Sequence, residues 1–149
     1  MNLTSENYYS LEANREFMSV SQLKSFLKCE AAAMAELRGE YTRPATTALL
    51  VGSFVDAWFE GTLDQFQQEH PEIFKRDGSL KADYVQAARI IQRVGEDKLF
   101  MDFMSGEKQV IRTGEVYGVP FKIKMDSYFP NDKIVDLKCM RTMEPIMGK

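Results

Sequence analysis

FKIKMDSYFPNDKIVDLKCMR, residues 121–141, alternates apolar and polar side chains on both sides of Pro130-Asn131-Asp132. A period of two interrupted by a Pro/Asn/Asp break predicts strand, turn, strand. If Phe129 and Lys133 close the loop, pairing is symmetric about Asn131, and Asp126 stands directly opposite Asp136. Directly opposed residues on one face have Cβ atoms roughly 4.5–5.5 Å apart, and like charges there repel, so the arrangement asks for a compensating cation. A divalent metal ion meets that need. Strand alternation returns Lys138 to the same face as Asp136, beside the metal position. Phe121, Ile123, Met125, Val135, Leu137 and Cys139 form the opposite face, which is expected in the core. A second reading stays open at this point: Asp126 and Asp136 could pair with Lys122, Lys124 and Lys138 as ordinary surface ions, each pair contributing only ~0–1 kcal/mol.

The rest of the chain narrows the chemistry. Its 149 residues, 44% hydrophobic and 11% aromatic, suit one domain with a real core. Twenty-two acidic against nineteen basic residues leave a formal net charge of -3, so there is no global basic field for nucleic acid and any such contact must be local. No apolar run approaches the ~20 residues that span a bilayer, and MNLTSENYYS lacks a secretory apolar region, so no membrane contact and a cytoplasmic location are expected. Cys29 and Cys139 are too few for a disulfide framework and are expected reduced and packed. His70, the single histidine, lies in the loop QEHPE, which leaves oxygen ligands and a hard cation such as Mg²⁺ or Mn²⁺.

Residues 1–17 are expected to form a flexible or loosely docked arm. Ser19-Val20-Ser21-Gln22 has the capping-box pattern and opens a helix whose apolar stripe runs from Leu23 to Leu37, ending at Gly39. A second helix starts with a Thr cap at 46–47 and stops at Gly61; it is apolar over most of its circumference and is expected against the sheet. Within it Gly52 and Asp56 share a face, the glycine permitting close approach of another backbone. Asp56, a carboxylate in an apolar helix, either reaches solvent, pairs with a cation, or joins the hairpin carboxylates. Residues 62–78 read as a connection with room for a short helix, and Ser79 as the cap of a third helix to Gly95. Leu99 to Met104 continue as a short apolar segment. From Glu107 the period changes to two, predicting strands at 108–112 and 115–116, with turns at Thr113-Gly114 and Tyr117-Gly118, before the main hairpin. Helices first and an antiparallel meander last give an α+β class: N-terminal helices packed on a mainly antiparallel three-stranded sheet.

The order Ser-x-Ser-x-Leu, Gly-x-x-x-Asp, an acidic residue opening the sheet, Gly-Val-Pro-Phe-Lys-x-Lys-x-Asp and Ile-Val-Asp-Leu-Lys resembles the PD-(D/E)xK nuclease superfamily. More narrowly it is similar to phage-type exonucleases of the RecE and lambda-exonuclease kind, relatives of RecB-like nuclease domains, over about Ser19 to Thr142. The resemblance implies a restriction-endonuclease-like core in which Asp126 and Asp136 ligate divalent metal (Mg²⁺ or Mn²⁺), the carbonyl of Leu137 adds a ligand, and Lys138 orients or helps deprotonate the attacking water. It implies further ligand positions at Glu107 and Asp56, and DNA contacts at Ser19, Ser21 and Lys24. Asp56 stands where the family usually carries histidine. The core normally continues past D-x-K into a further helix and strand, so the chain is expected to be truncated at its C-terminus. The implied function is metal-dependent hydrolysis of DNA from duplex ends in phage-type recombination or repair, with a single-strand annealing protein as partner and a homo-oligomer as the full-length state. The alternative is an inactive nuclease-like module that binds DNA ends or a protein.

Overall fold

Left-handed backbone at two successive residues, Tyr117 (φ 51°) and Gly118 (φ 79°), closes the hairpin on which the sheet is built. Positive φ at both central residues matches the right-handed twist of the flanking strands, so they pair without splaying. In the computed structural model, which describes residues 1–140, the turn joins β1 (Glu107–Val116) to β2 (Val119–Phe129) in an antiparallel ladder from Val116↔Val119 to Glu107↔Tyr128. β3 (Lys133–Val135) lies on the other side of β2, so the sheet order is β1-β2-β3. The expected helices with a three-stranded antiparallel sheet are therefore present. One detail differs: β1 is uninterrupted, because Thr113 and Gly114 pair with Lys122 and Phe121. A full-length partner strand supplies their ladder bonds and outweighs glycine's weak strand preference. The end of the quoted stretch at Arg141, and of the resemblance at Thr142, lies outside the described residues.

The chain groups into two compact units, residues 1–44 with 107–134, and residues 45–106 with the segment from Val135 onward. The first holds the sheet with α1 (Leu11–Glu16), α2 (Val20–Lys28) and α3 (Glu30–Arg38). Residues 1–17, expected as a flexible or loosely docked arm, make specific contacts with the sheet. Ser10 caps α1 through the Ala13 N–H, and Met18 forms a parallel bridge with Phe121, its N–H donating to the Pro120 carbonyl at 2.8 Å while Lys122 N–H donates to its own carbonyl at 2.9 Å. Lys122 is 1% exposed, and its Nζ donates to the Tyr8 carbonyl at 2.6 Å and to Asn14 Oδ1 at 2.8 Å. The ammonium also sits 4.7 Å from the centroid of the Tyr8 ring. These contacts close over 114 and 108 positions of sequence, which is why the polar N-terminus gave no sign of docking.

Burial carries a titration consequence here. The Tyr8 hydroxyl is pushed up to about 12 from 10.0, first by burial and then by the neighbouring Tyr9, so the folded state holds its proton after the unfolded chain has lost it. The stabilisation linked to Tyr8 is complete below pH 10 and is lost as pH rises through about 12. Burial lowers Lys122, which faces the same ring, and its linkage has the opposite sign, stability rising with pH below 10.5. The difference between wild type and Tyr8→Phe isolates the tyrosine: denaturant midpoints of wild type should fall relative to the variant between pH ~9 and ~11.5. Parallel curves would show that the hydroxyl does not titrate with folding.

The single helix expected from Ser19 to Gly39 is two, broken at Cys29, whose extended backbone (φ -161°, ψ 102°) ends α2 and starts α3. The break lets Phe26 of α2 and Ala33 and Leu37 of α3 line one cavity with Leu11 of α1, which a straight helix spreads along its length. Cys29 and Cys139 are exposed, not packed.

In the second unit, Thr46 caps α4 (Thr47–Glu60) by accepting from the Leu49 N–H, and Gly61 (φ 75°) ends it, both as expected. α5 (Leu63–Glu69), a 3₁₀ turn at Pro71–Ile73, α6 (Ala82–Gly95) and α7 (Lys98–Phe103) follow. The core of this unit is Phe54, Val55, Ile73, Tyr84, Ala87 and Ile91, so within the unit α4 finds its buried partners in α6 and the Pro71–Ile73 turn. A Cβ at Gly52 would meet nothing within 4 Å among the described residues, so none of their backbone approaches there. Ser79 does not cap α6: its hydroxyl donates to Asp77 at 2.6 Å, and the Phe74↔Leu80 bridge keeps this stretch extended until Lys81 takes the cap position.

Candidate functional site

β2 carries Asp126 half-buried between Met125 and Ser127, both buried. Flanking pairs Lys108↔Ser127 and Val110↔Met125 keep one register, which leaves Gln109 of β1 opposite Asp126. Gln109 has φ 53°, and its Oε1 is buried with no hydrogen-bond partner among the described residues. Burial lowers the Lys108 ammonium, and the Asp126 carboxylate partly pulls it back up, so a cation and an anion share this end of the ladder. Glu107 opens β1 opposite Tyr128 and is exposed. The clean division of faces predicted for the hairpin does not hold. Ile123 is 41% exposed and Lys122 is buried, because residues 8–18 cover part of the face assigned to solvent.

The Asp-Leu-Lys segment belongs to the second unit. β3 stops at Val135, so Asp136 follows the strand instead of pairing within it. The physical reason lies in Leu137, which packs against the Phe54-centred core and draws the chain off the ladder. Asp136 and Lys138 still fall on one side, as alternation requires, and form an ion pair at 2.5 Å with their side chains 58% and 71% exposed. Asp56 is half-buried on α4. The residue after Lys138 reports its position: although Cys139 is exposed as a residue, its thiol is raised first by desolvation and then by the Asp56 carboxylate. Within this unit Asp56 and the D-x-K segment are thus neighbours, and the buried flanks Val55 and Ala57 fix the helix that presents the carboxylate.

At the start of α2, Ser19 Oγ accepts from the Gln22 N–H while Gln22 Oε1 accepts from the Ser19 N–H, so the capping box is complete. The Ser21 hydroxyl lies 3.0 Å from Ser19 Oγ, and Ser21 and Lys24 are exposed. Capping explains Ser19 without DNA.

The donor chemistry fits Mg²⁺ or Mn²⁺. Carboxylates at Asp126, Glu107, Asp136 and Asp56, the Leu137 carbonyl and the orphan Gln109 amide oxygen are all hard donors. Among the described residues no group of three or more His, Cys, Asp or Glu side chains could hold a metal ion. A cation of the magnesium type needs only one or two carboxylates, completing its shell with water and substrate phosphate. Sequence reasoning missed Gln109 and the anchoring role of Lys122. Treating β1 as one strand about Tyr117-Gly118 would have placed Gln109 opposite Asp126, whereas its left-handed backbone has no sequence signal.

Residues 19–146 match the family described as a PDDEXK-like domain of unknown function (DUF3799). A crystal structure from Eubacterium rectale, named "Putative exonuclease", superposes with a TM-score of 0.90 at 56% sequence identity, the match covering 93% of this chain and 54% of that one. The chain spans about half the length of that relative. Comparison with the curated proteins finds no match.

Proposed function

This chain belongs to the PDDEXK-like family, and on that premise we propose that it is a divalent-metal-dependent DNA exonuclease that hydrolyses phosphodiester bonds at duplex ends. The observation that carries the reading is the Asp136-Leu137-Lys138 segment. A partly buried leucine packed on the core fixes it, while the carboxylate and the ammonium stand exposed on the same side, within reach of a large substrate. Asp126, Asp136 and the Leu137 carbonyl are the proposed metal ligands, with Asp56 and Glu107 as further candidates. When bound, Mg²⁺ or Mn²⁺ supplies Lewis-acid charge for the phosphoryl oxygens and makes its water a better nucleophile. Lys138 orients that water and stabilises charge developing on the scissile phosphate. Ser21 and Lys24 offer a hydroxyl and a cation to the DNA backbone. End processing coupled to strand annealing in phage-type recombination is the process this activity suits.

Linear duplex DNA incubated with the protein and Mn²⁺ or Mg²⁺ should release nucleotides, and chelation should stop the release. Calorimetric titration with Mn²⁺ should detect binding that Asp126→Ala weakens at least tenfold. Binding that is absent, or indifferent to Asp126→Ala, removes the metal site and the reading with it. Asp56 in place of the family's histidine favours a second reading, a module that holds DNA ends without cutting, because a carboxylate lacks the neutral donor and acceptor pair of imidazole. Retention of DNA without release selects that reading.

A further inference from the structure

Gln109 combines two features that folding alone does not require. Its backbone is left-handed at φ 53°, at the third residue of a ten-residue strand. Such a conformation is common at a bulge, where an extra residue must be absorbed, yet the pairs Lys108↔Ser127 and Val110↔Met125 leave one residue on each strand and nothing to absorb. Glutamine also gains no local hydrogen bond there of the kind that lets Asn or Asp tolerate this region. Its Oε1 is buried with no hydrogen-bond partner among the described residues, although a buried acceptor ordinarily finds one. Both features fall opposite Asp126. Sparsely populated backbone conformations that persist beside polar side chains are characteristic of ligand sites, where the bound state supplies what the free state lacks.

We infer that Gln109 is a further residue of the Asp126 metal site, its side-chain amide oxygen serving the divalent cation's coordination shell and its strained backbone holding that oxygen beside the carboxylate. The inference rests on the nuclease reading for the presence of the metal, and adds a neutral oxygen donor on β1. A neutral donor suits the position: it contributes to a hard cation without adding a second negative charge directly across the ladder from Asp126.

The test is Mn²⁺ titration calorimetry, paired with thermal unfolding in the absence of metal, on wild type, Asp126→Ala, Gln109→Gly and Gln109→Asn. Glycine relieves the backbone and deletes the amide. Expected is an unfolding temperature at or above wild type together with about tenfold weaker Mn²⁺ binding. Asparagine tolerates the left-handed backbone but withdraws the oxygen by one methylene, so it should bind Mn²⁺ more weakly than wild type while folding normally; it carries the test if the glycine variant does not fold. Wild-type Mn²⁺ affinity in both Gln109 variants, with Asp126→Ala impaired, overturns the role of Gln109 and leaves the nuclease reading standing. Absence of Mn²⁺ binding in wild type overturns both.

Discussion

Asp136→Ala is expected to lower metal-dependent nucleotide release by ~10³-fold or more, and Lys138→Ala by ~10²–10³-fold, the range seen when one preorganised charge at a reacting centre is removed. Both side chains are more than half exposed, so neither change should move thermal unfolding by more than about 0.5 kcal/mol. That separation makes the test sharp, since lost activity in a folded protein points to chemistry. The two variants should also differ in kind. Asp136→Ala should weaken Mn²⁺ binding, whereas Lys138→Ala should leave it close to wild type and act on the turnover of bound DNA. Breaking the 2.5 Å ion pair is common to both, so any effect they share without a metal signature belongs to the pair. End-labelled duplex in single-turnover assays reads the outcome, and either variant within tenfold of wild type would remove the assigned roles.

Lys122→Met carries the largest expected stability effect. Methionine keeps the apolar stem of the lysine but strips the donors from the Tyr8 carbonyl and Asn14 Oδ1, leaving two acceptors in a site that is 1% exposed. Each unsatisfied buried acceptor costs about 1–3 kcal/mol, and removing a buried ammonium returns part of its desolvation cost, so a net loss of about 2–4 kcal/mol follows. Residues 1–17 should become sensitive to limited proteolysis, because the latch that holds them to β2 is gone while the backbone bridge at Met18 remains. Denaturant midpoint and cleavage pattern read the two effects. An unchanged midpoint with a protected N-terminus would show that the Met18 bridge alone holds the segment.

Much of the helical half of the protein was legible because its signals are local. Thr46 and Gly61 bound α4, the Ser19–Gln22 box opens α2, and alternation about Pro130-Asn131-Asp132 predicts a hairpin. Each rests on residues close together in the chain. Ser79 failed for an equally local reason, an aspartate two residues earlier competing for its hydroxyl.

What the amino-acid order determined by itself was therefore the inventory: helices before an antiparallel sheet, hard oxygen donors, a D-x-K segment with both charges on one side, and membership of a nuclease-like family. Tertiary structure decided where the strand ends and which polar groups are buried. Leu137 leaves the ladder because a hydrophobic core competes successfully for it, and Lys122 is buried because acceptors at Tyr8 and Asn14, more than a hundred residues away, neutralise the cost. Gln109 belongs to the same class. Strand pairing places it across from Asp126, and no local pattern encodes its left-handed backbone or its orphan oxygen.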